Sequence, residues 1–322
     1  MKKITALILT LLITLFCSLS VGCSNTVDVT FRQEGQQDII FTVEKGQVLT
    51  DIPTPVQSSD TSIVTEWNVA ENFIVKENMV IDAIEYTSGL NFEIDSFENI
   101  KYFKVASYSG TSTTVIIPYS YRGVPVGIIG KSAFRQRVSI NIKLDKVILP
   151  EGLVWVQEWA FYDTAVGDIN VPSTLKKVDY QGFSNAQPQG ENGVLTIPAG
   201  LQIISERAFF CAGAQRIVVS EGITYIDKYG LSYCRSATEL FLPKSLTSIH
   251  GLSLIRGSFE KIYYAGSEID WLRIEIGDEV ENNNNFQQEL DNGKYTIFYY
   301  SENQPLESGN YWHFVNDEPV IW

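Results

Sequence analysis

The sequence predicts a mainly β protein, in which a solenoid with a parallel sheet follows a small β module. Two observations support this: a repeat of about 23 residues fills the middle of the chain, and alternating strand-like segments precede it. One copy of such a repeat cannot bury its apolar side alone, so neighbouring copies have to stack. Stacked repeats present extended surfaces, which favours binding over catalysis.

Each copy of the repeat has five apolar slots placed around an anchor, usually proline, and a closing residue. The slots lie three and one residues before the anchor, eight and five before the closure, and at the closure itself. The anchors are Pro118, Pro150, Pro172, Pro198, Ser220 and Pro243, and the closures are Phe134, Phe161, Phe183, Phe209, Leu231 and Leu254. All 30 slots are apolar, whereas 44% hydrophobic composition gives about 13 by chance.

The spacing around the anchor predicts a short strand. Side chains alternate along a strand, so the two slots before the anchor share its inner side and the residues between them face outward. Proline lacks the N–H that a sheet ladder needs, and therefore suits the end of that strand. Stacked copies are expected to place neighbouring strands about 4.7–4.9 Å apart.

The repeats resemble a known family. The segments VILPEGLVWVQEWAF, LTIPAGLQIISERAF and VVSEGITYIDKYGL are similar to the BspA-like leucine-rich repeats of bacterial surface proteins. Residues 113–134 resemble the first repeat of such arrays, and residues 262–322 resemble their C-terminal end. Ser220, Leu231 and Leu254 depart from the pattern. The resemblance implies a right-handed leucine-rich-repeat solenoid outside the cell, often used in adhesion or host contact.

The N-terminus predicts export. Lys2 and Lys3 precede an apolar run over residues 4–16, which is too short to span a membrane and is typical of a secretory signal. Residues 20–23 (SVGC) resemble a lipobox with Ser20 in place of the usual leucine, in which Cys23 becomes diacylated after cleavage. Two acyl chains anchor a protein stably. Ordinary cleavage after Gly22, giving a secreted protein, is the alternative.

The segment between the anchor and the array predicts a β module. VDVTF, DIIFTV and MVIDAIEY alternate like strands. These segments, with PTP and Trp67, resemble the internalin-type B repeat, a small β-grasp-like module, although Glu66 replaces the glycine before the tryptophan. The resemblance implies a spacer or a second binding unit.

The predicted organisation has five parts. They are a signal peptide (1–22), a lipid attachment site and linker (23–26), the β-grasp-like module (27–90), a solenoid of six coils plus a partial seventh (98–266) and a C-terminal capping segment (267–322).

Charge limits the possible partners. The chain has 24 Lys and Arg against 38 Asp and Glu, a net charge of −14. Nucleic acids and anionic membrane surfaces need a cationic face, so neither is an expected partner, and membrane contact is expected through the lipid alone. The expected partner is an extracellular protein or glycan.

Catalysis, cofactors and metals have little support in the sequence. The two histidines, His250 and His313, lie far apart with no nucleophile motif, and metal-ligand spacings and phosphate-binding loops are absent. Asp179 and Asp227 share one outward slot two coils apart, a wide separation for a carboxylate pair. We expect a solvated polar edge there, a solvent-exposed His250, no enzyme activity and no cofactor.

Cys211 and Cys234 lie one coil apart, so a disulfide between them is conceivable in an oxidising location. Their different offsets from the closure favour two separate thiols.

The outward strand residues form the candidate binding stripe. One row contains Ile116, Ile148, Asn170, Thr196, Val218, Phe241 and Tyr263, and the row beside it contains Thr114, Lys146, Asp168, Val194, Arg216, Glu239 and Lys261. Exposed apolar groups interleaved with charge are typical of recognition faces. Phe241, Tyr263, Arg216, Lys146 and Ile148 are the candidate ligand-binding residues, although such residues also simply suit strands.

Two loops interrupt the repeat, at 135–146 and 184–193, and either carry specificity or reflect tolerated length variation. Tyr311, Trp312, Phe314 and Trp322 are expected to cap the open end of the solenoid. The sequence thus predicts a lipid-anchored surface protein with a binding or adhesion role. A structural spacer and a polysaccharide-active enzyme are the alternatives.

Overall fold

The structure, a computed structural model, describes residues 25–135, 143–164, 166–190, 192–316 and 318–322. Within these ranges the chain is almost entirely strand and turn, with parallel sheets through its larger part, as predicted. None of the helices in these ranges has the length and apolar character needed to cross a membrane. The predicted signal peptide, Cys23 and most of the first interrupting loop lie outside the described residues.

Four strands form the N-terminal module: β1 (Thr26–Arg32), β2 (Ile39–Glu44), β3 (Ile63–Trp67) and β4 (Met79–Thr87). Their order in the sheet is β2-β1-β4-β3, with a parallel central pair and antiparallel outer pairs. The core of the module contains Phe31, which packs edge to face on Trp67 at 5.1 Å. A small β module is therefore present, while its predicted β-grasp identity stays unconfirmed.

The module continues directly into the solenoid. A hairpin, β5 (Leu90–Phe97) and β6 (Ile100–Tyr108), adds to the solenoid because β6 pairs with β9 (Val124–Ile129). The Thr87 hydroxyl accepts a hydrogen bond from the Ile116 N–H at 2.8 Å, beside the first solenoid strand. Tyr86 and Leu90 belong to the solenoid core. These residues cover the first coil, as the end of a repeat array requires.

The solenoid has two parallel walls. The first wall contains the anchor strands β7 (Thr114–Ile116), β10 (Lys146–Ile148), β12 (Asp168–Ile169), β14 (Val194–Ile197), β16 (Arg216–Val219), β18 (Glu239–Leu242), β20 (Lys261–Tyr264) and β22 (Thr296–Tyr300). The second wall contains β9, β11 (Trp155–Val156), β13 (Lys177–Val178), β15 (Ile203–Ile204), β17 (Tyr225–Ile226), β19 (Ser248–Ile249) and β21 (Glu275–Ile276), and the short strand β8 (Ser120–Tyr121) pairs with β9 in the antiparallel direction. A 3-10 turn, Ala199–Leu201, precedes β15.

The apolar slots form the core between the walls. Twenty-nine of the thirty are buried and Val171 is half-buried, so the predicted register is confirmed. The closing phenylalanines stack in a ladder, with ring centroids 4.9 Å apart for Phe134 and Phe161 and 5.4 Å apart for Phe161 and Phe183. The ladder continues to Phe209 at 5.5 Å. Each ring thus has its partner in the neighbouring coil.

The second interrupting loop separates each wall into two sheets. Neither β12 and β14 nor β13 and β15 are hydrogen-bonded neighbours. Loop residues bridge the gap instead, because the Gln189 side chain donates to the Gly167 carbonyl and Pro188 accepts from the Gly213 N–H. Gly190 has φ +71°, and a Cβ there would meet the Val194 carbonyl oxygen at 1.9 Å. Only glycine fits this position.

The C-terminal segment adds two short helices and a hairpin. Helix α1 (Glu268–Trp271) begins at Ser267 with a capping box, and α2 (Phe286–Asp291) begins at Asn285. The hairpin consists of β23 (Tyr311–Val315) and β24 (Glu318–Ile321), and β23 pairs with β22 in parallel. The first wall therefore extends beyond the last repeat.

Replacing Phe161 by alanine should lower the free energy of unfolding by about 3–5 kcal/mol, because a fully buried ring leaves a cavity between two stacked neighbours. Urea unfolding followed by circular dichroism measures this. Phe314→Ala, which removes a half-exposed ring, is the matched control and should cost less than about 1 kcal/mol. Equal effects of the two changes would contradict a continuous phenylalanine core.

Candidate binding surfaces

The outer side of the first wall is open in its N-terminal part and becomes buried at Phe241 and Tyr263. We call the outward residues of β7, β10 and the β12 region the proximal face: Thr114, Ile116, Lys146, Ile148, Asp168 and Asn170. Lys146 and Asp168 lie side by side in the parallel register and form a 3.1 Å ion pair, both half exposed. Ile148 is 37% exposed. Two of the predicted binding residues, Lys146 and Ile148, are thus accessible and lie together.

Phe241 and Tyr263 are buried, so the prediction that they are exposed anchors is wrong. Only 8% and 3% of their surfaces are exposed. Their rings stack at 4.5 Å, and the Trp312 indole covers both edge to face at 5.6 and 5.5 Å. Trp312 belongs to β23, which closes back over the outer side of the wall. The side chains do face away from the repeat core, but they form a second apolar cluster with Phe298.

Arg216 stabilises this closed arrangement. Its guanidinium makes ion pairs with Glu239 at 2.8 Å and with Glu318 of β24 at 3.1 Å, and it lies 5.5 Å from the centre of the Phe241 ring. Burial, with Glu239 close by, raises the pKa of Tyr263 to about 12, so this phenol stays neutral. The third predicted anchor is therefore engaged within the chain and ties the hairpin to the wall.

The closure turns form a ridge of aromatic and basic side chains that the sequence analysis did not single out; Lys131 and Arg135 are exposed, Tyr229 is buried, and the others are half-buried. We call it the turn ridge: Lys131, Arg135, Trp159, Tyr162, Tyr180, Arg207, Phe210, Tyr229, Tyr233 and Arg256. Cations lie over aromatic rings along it, with Arg135 5.3 Å from Trp159 and 5.1 Å from Tyr162. Arg207 donates to the Tyr180 hydroxyl at 2.9 Å. Such contacts hold the ridge side chains in fixed orientations.

Backbone geometry explains why the ridge is regular. The residue two before the closure is left-handed in successive coils, with φ of 58° at Trp159, 57° at Gln181 and 55° at Arg207. Each of these residues donates its N–H to a carbonyl of the next coil, at 3.0–3.2 Å. The turns therefore stack in register. Tabulating the residues two before and one after each closure would have found six of the ten ridge residues from the sequence.

The polar row on the second wall is not arranged as a catalytic site. Asp179 accepts a hydrogen bond from the Trp155 indole at 2.8 Å and pairs with Lys177 at 3.0 Å. Asp227 accepts from the Tyr225 hydroxyl and the Lys228 N–H. Each carboxylate is thus held by its own neighbours. Among the described residues, no group of three or more His, Cys, Asp or Glu side chains is placed to hold a metal ion.

His250 is less solvated than predicted. Its side chain is 14% exposed, and its Nε2 lies 3.5 Å from Glu279 in the loop that follows β21. Its Nδ1 accepts a hydrogen bond from the Leu252 N–H at 3.1 Å. The loop covers this end of the outward row, so His250 is held by contacts within the chain.

The two cysteines of the solenoid are unpaired, as favoured from their spacing. Cys211 is half-buried and Cys234 fully buried. Burial raises the pKa of the Cys234 thiol to about 12, so it stays protonated at neutral pH. Because the thiolate is the reactive form, Cys234 behaves as a small apolar core residue.

Replacing Trp312 by alanine should uncover Phe241 and Tyr263 and lower the free energy of unfolding by about 3–5 kcal/mol. Urea unfolding measures the change, and binding of an apolar dye should rise as the cluster becomes exposed. Trp322→Ala, at a site that is 38% exposed, is the matched control and should cost less than about 1 kcal/mol. A Trp312 variant as stable as the wild type would show that the hairpin does not close over the wall.

Three solved structures resemble parts of this fold. A leucine rich repeat protein of T. pallidum has a TM-score of 0.44 and 18% identity, over 65% of this chain and 95% of that chain. A leucine-rich repeat protein from Bacteroides ovatus has a TM-score of 0.34 and 14% identity, over 66% and 70%. A leucine rich cell surface protein from Faecalibacterium prausnitzii has a TM-score of 0.25 and 11% identity, over 61% and 98%. These overlaps are too low to bear on function.

The family model identifies the repeats directly. Among curated proteins, none matches the sequence. The model of the BspA type leucine rich repeat region matches six copies over residues 101–192 and 190–269. The matched residues coincide with the stacked coils and make up more than half of the chain. The chain therefore belongs to the BspA-type leucine-rich repeat family.

Proposed function

We propose that this chain is a non-enzymatic binding protein of the bacterial cell surface, anchored through a lipid on Cys23, that recognises an extracellular protein or glycan through its solenoid. Family membership supports a leucine-rich repeat protein with a binding role. The lipobox-like residues before Cys23 support the anchor. An extended array presents one side chain per coil to a partner, which suits adhesion.

The turn ridge is the observation that carries the binding function. Aromatic residues and arginine dominate the hot spots of protein interfaces. On the ridge, Trp159 also donates its indole N–H to Gln181 at 2.7 Å, so its ring orientation is set in the free protein. Side chains ordered in advance lose little entropy on binding. The proximal face, with Lys146 and Ile148, is proposed as the adjoining part of the same binding region.

A non-enzymatic role has independent support. Asp179 and Asp227, the carboxylates at the catalytic spacing considered from the sequence, are each bonded to a neighbour within the chain. A hydrolytic pair needs one carboxylate available to protonate a leaving group and another to activate water. Neither aspartate is placed for such a role.

The binding region is tested with the soluble form, residues 24–322, on immobilised fibronectin, collagen and mucin and on a glycan array. We expect saturable binding to at least one probe. The double variant Trp159→Ala/Tyr162→Ala should weaken it by about 30-fold, since two hot-spot side chains are lost. Lys146→Ala/Ile148→Ala should weaken it less. Circular dichroism of each variant checks the fold.

The matched control for the ridge variant is Phe314→Ala/Trp322→Ala, which removes two partly exposed aromatic residues at the C-terminal hairpin. Its affinity should stay within twofold of the wild type. If the control and the ridge variant lose affinity equally, the ridge is not the binding surface. If the wild type binds no probe, the spacer function replaces the binding function.

The lipid anchor is tested in a bacterial host by metabolic labelling with an alkyne fatty acid. The wild-type chain should carry label and fractionate with membranes, because two acyl chains anchor stably. Cys23→Ala should carry no label and should be lost from the membrane fraction. Unlabelled wild-type protein in the medium would show ordinary cleavage after Gly22 and secretion.

A further inference from the structure

The C-terminal end of the solenoid contains a groove because its two walls end at different coils. The first wall continues through β22, β23 and β24, whereas the second wall ends at β21. After β22, residues 301–310 turn back to begin β23 and supply no further strand to the second wall. The place where the next short strand would lie is therefore open. The predicted capping segment covers the last coil only in part.

The groove has the size and lining of a binding site. Its volume is about 750 Å³, within the range typical of ligand pockets. Its floor contains the half-buried apolar side chains Ile276, Leu290, Ile297 and Tyr299, which pack on the solenoid core from one side. Leu272, at the rim, is 77% exposed. A ligand in the groove would complete the burial of these side chains.

The free edge of β21 faces the groove. In the preceding coils, the second residue of each two-residue strand directs its carbonyl to the next strand: Ile226 accepts from the His250 N–H and Ile249 accepts from the Gly277 N–H, both at 2.9 Å. Ile276 is the equivalent residue of β21. No strand of the described chain pairs with the outer edge of β21. An extended segment can add there through main-chain hydrogen bonds.

Charge at this end of the molecule favours a cationic partner. Residues 267–322 contain twelve Asp and Glu against two Lys and Arg, a net charge of −10 out of −14 for the whole chain. The groove is lined by Glu268, Asp291 and Glu307 and by no basic residue. None of these three carboxylates forms an ion pair with a described residue, whereas Arg273 and Lys294 pair with Asp270 and Glu289.

We propose that this groove binds an extended peptide segment of a partner protein in which basic residues alternate with apolar ones, added as a strand to β21. Side chains alternate along a strand, so apolar residues aligned with Ile276 would point to the core. Basic residues aligned with Glu275 would lie beside its exposed carboxylate and near the acidic rim. Two aromatic rings of the lining, Tyr299 in the floor and Tyr311, add surfaces that attract ammonium or guanidinium groups.

This site is separate from the turn ridge and the proximal face, and it goes beyond the proposed adhesive function. Its chemistry is anionic and built on an open strand edge, whereas the ridge carries arginine and lysine over aromatic rings. Loss of one site is therefore expected to leave the other intact.

The test uses the soluble form, residues 24–322, and a fluorescent decapeptide in which lysine alternates with valine, followed by anisotropy. Two control peptides have glutamate in place of lysine, or two of the valines replaced by proline. We expect the lysine peptide to bind at least about tenfold more tightly than either control, since one lacks the complementary charge and the other cannot form a continuous strand. Binding should weaken with salt.

Leu272→Lys is the decisive variant, because it places a cation at an exposed position on the groove rim without disturbing the core. We expect it to lower the affinity for the lysine peptide by at least about tenfold. Ile94→Lys, the same kind of change at a residue of β5 that is 55% exposed, is the matched control, and its affinity for the lysine peptide should stay within twofold of the wild type. Ile276→Pro removes the outward N–H of β21 and should also weaken binding, with circular dichroism to confirm its fold.

Several outcomes would overturn the proposal. Equal affinity for lysine and glutamate peptides, or unchanged affinity in Leu272→Lys, would show that the acidic groove does not select a cationic strand. If an uncharged oligosaccharide displaces the lysine peptide and binds more tightly than it does, the groove is a glycan site. Self-association of the wild type that Leu272→Lys abolishes would assign it to a second copy of this chain.

Discussion

The structure depends on stacking: no coil can bury its apolar side without the coil before and after it. Phe161 illustrates this, since its ring lies between Phe134 and Phe183 and has no exposed surface. Backbone hydrogen bonds also join each coil to the next, so side-chain packing and main-chain pairing favour the same alignment of neighbouring coils. Every other feature of the molecule follows from continuing this stack or from ending it.

The two ends of the stack are handled differently, and this difference determines where binding is proposed. At the N-terminal end, the β5–β6 hairpin and Thr87 cover the first coil with strand pairing and hydrogen bonds. At the C-terminal end, the chain extends one wall and folds a hairpin over its outer side. Trp312 then buries Phe241 and Tyr263, while β21 keeps an open edge. One end is closed and the other presents a groove.

The outer side of the first wall also differs between its N-terminal and C-terminal parts. The proximal face stays accessible, whereas Arg216 joins the C-terminal hairpin to the outer side of the first wall through Glu318. The turn ridge runs along the closures, where the residue two before the closure, such as Trp159, is left-handed in five of the six coils. Cation–aromatic contacts between neighbouring coils order this ridge. The proposed binding residues of the ridge are therefore positioned by the same geometry that stacks the coils.

The sequence by itself determined the repeat, its register and its core, because a buried slot in each coil must be apolar and 29 of 30 slots are buried as predicted. It also indicated which strand residues face away from the core. Only the tertiary structure decided whether those residues are exposed: Phe241 and Tyr263 have the outward register expected, yet a tryptophan more than 45 residues later covers them. The groove beside Ile276 likewise depends on where two walls end relative to each other. Local periodicity determines which side of the strand a residue faces, but long-range packing determines whether another part of the chain covers that residue.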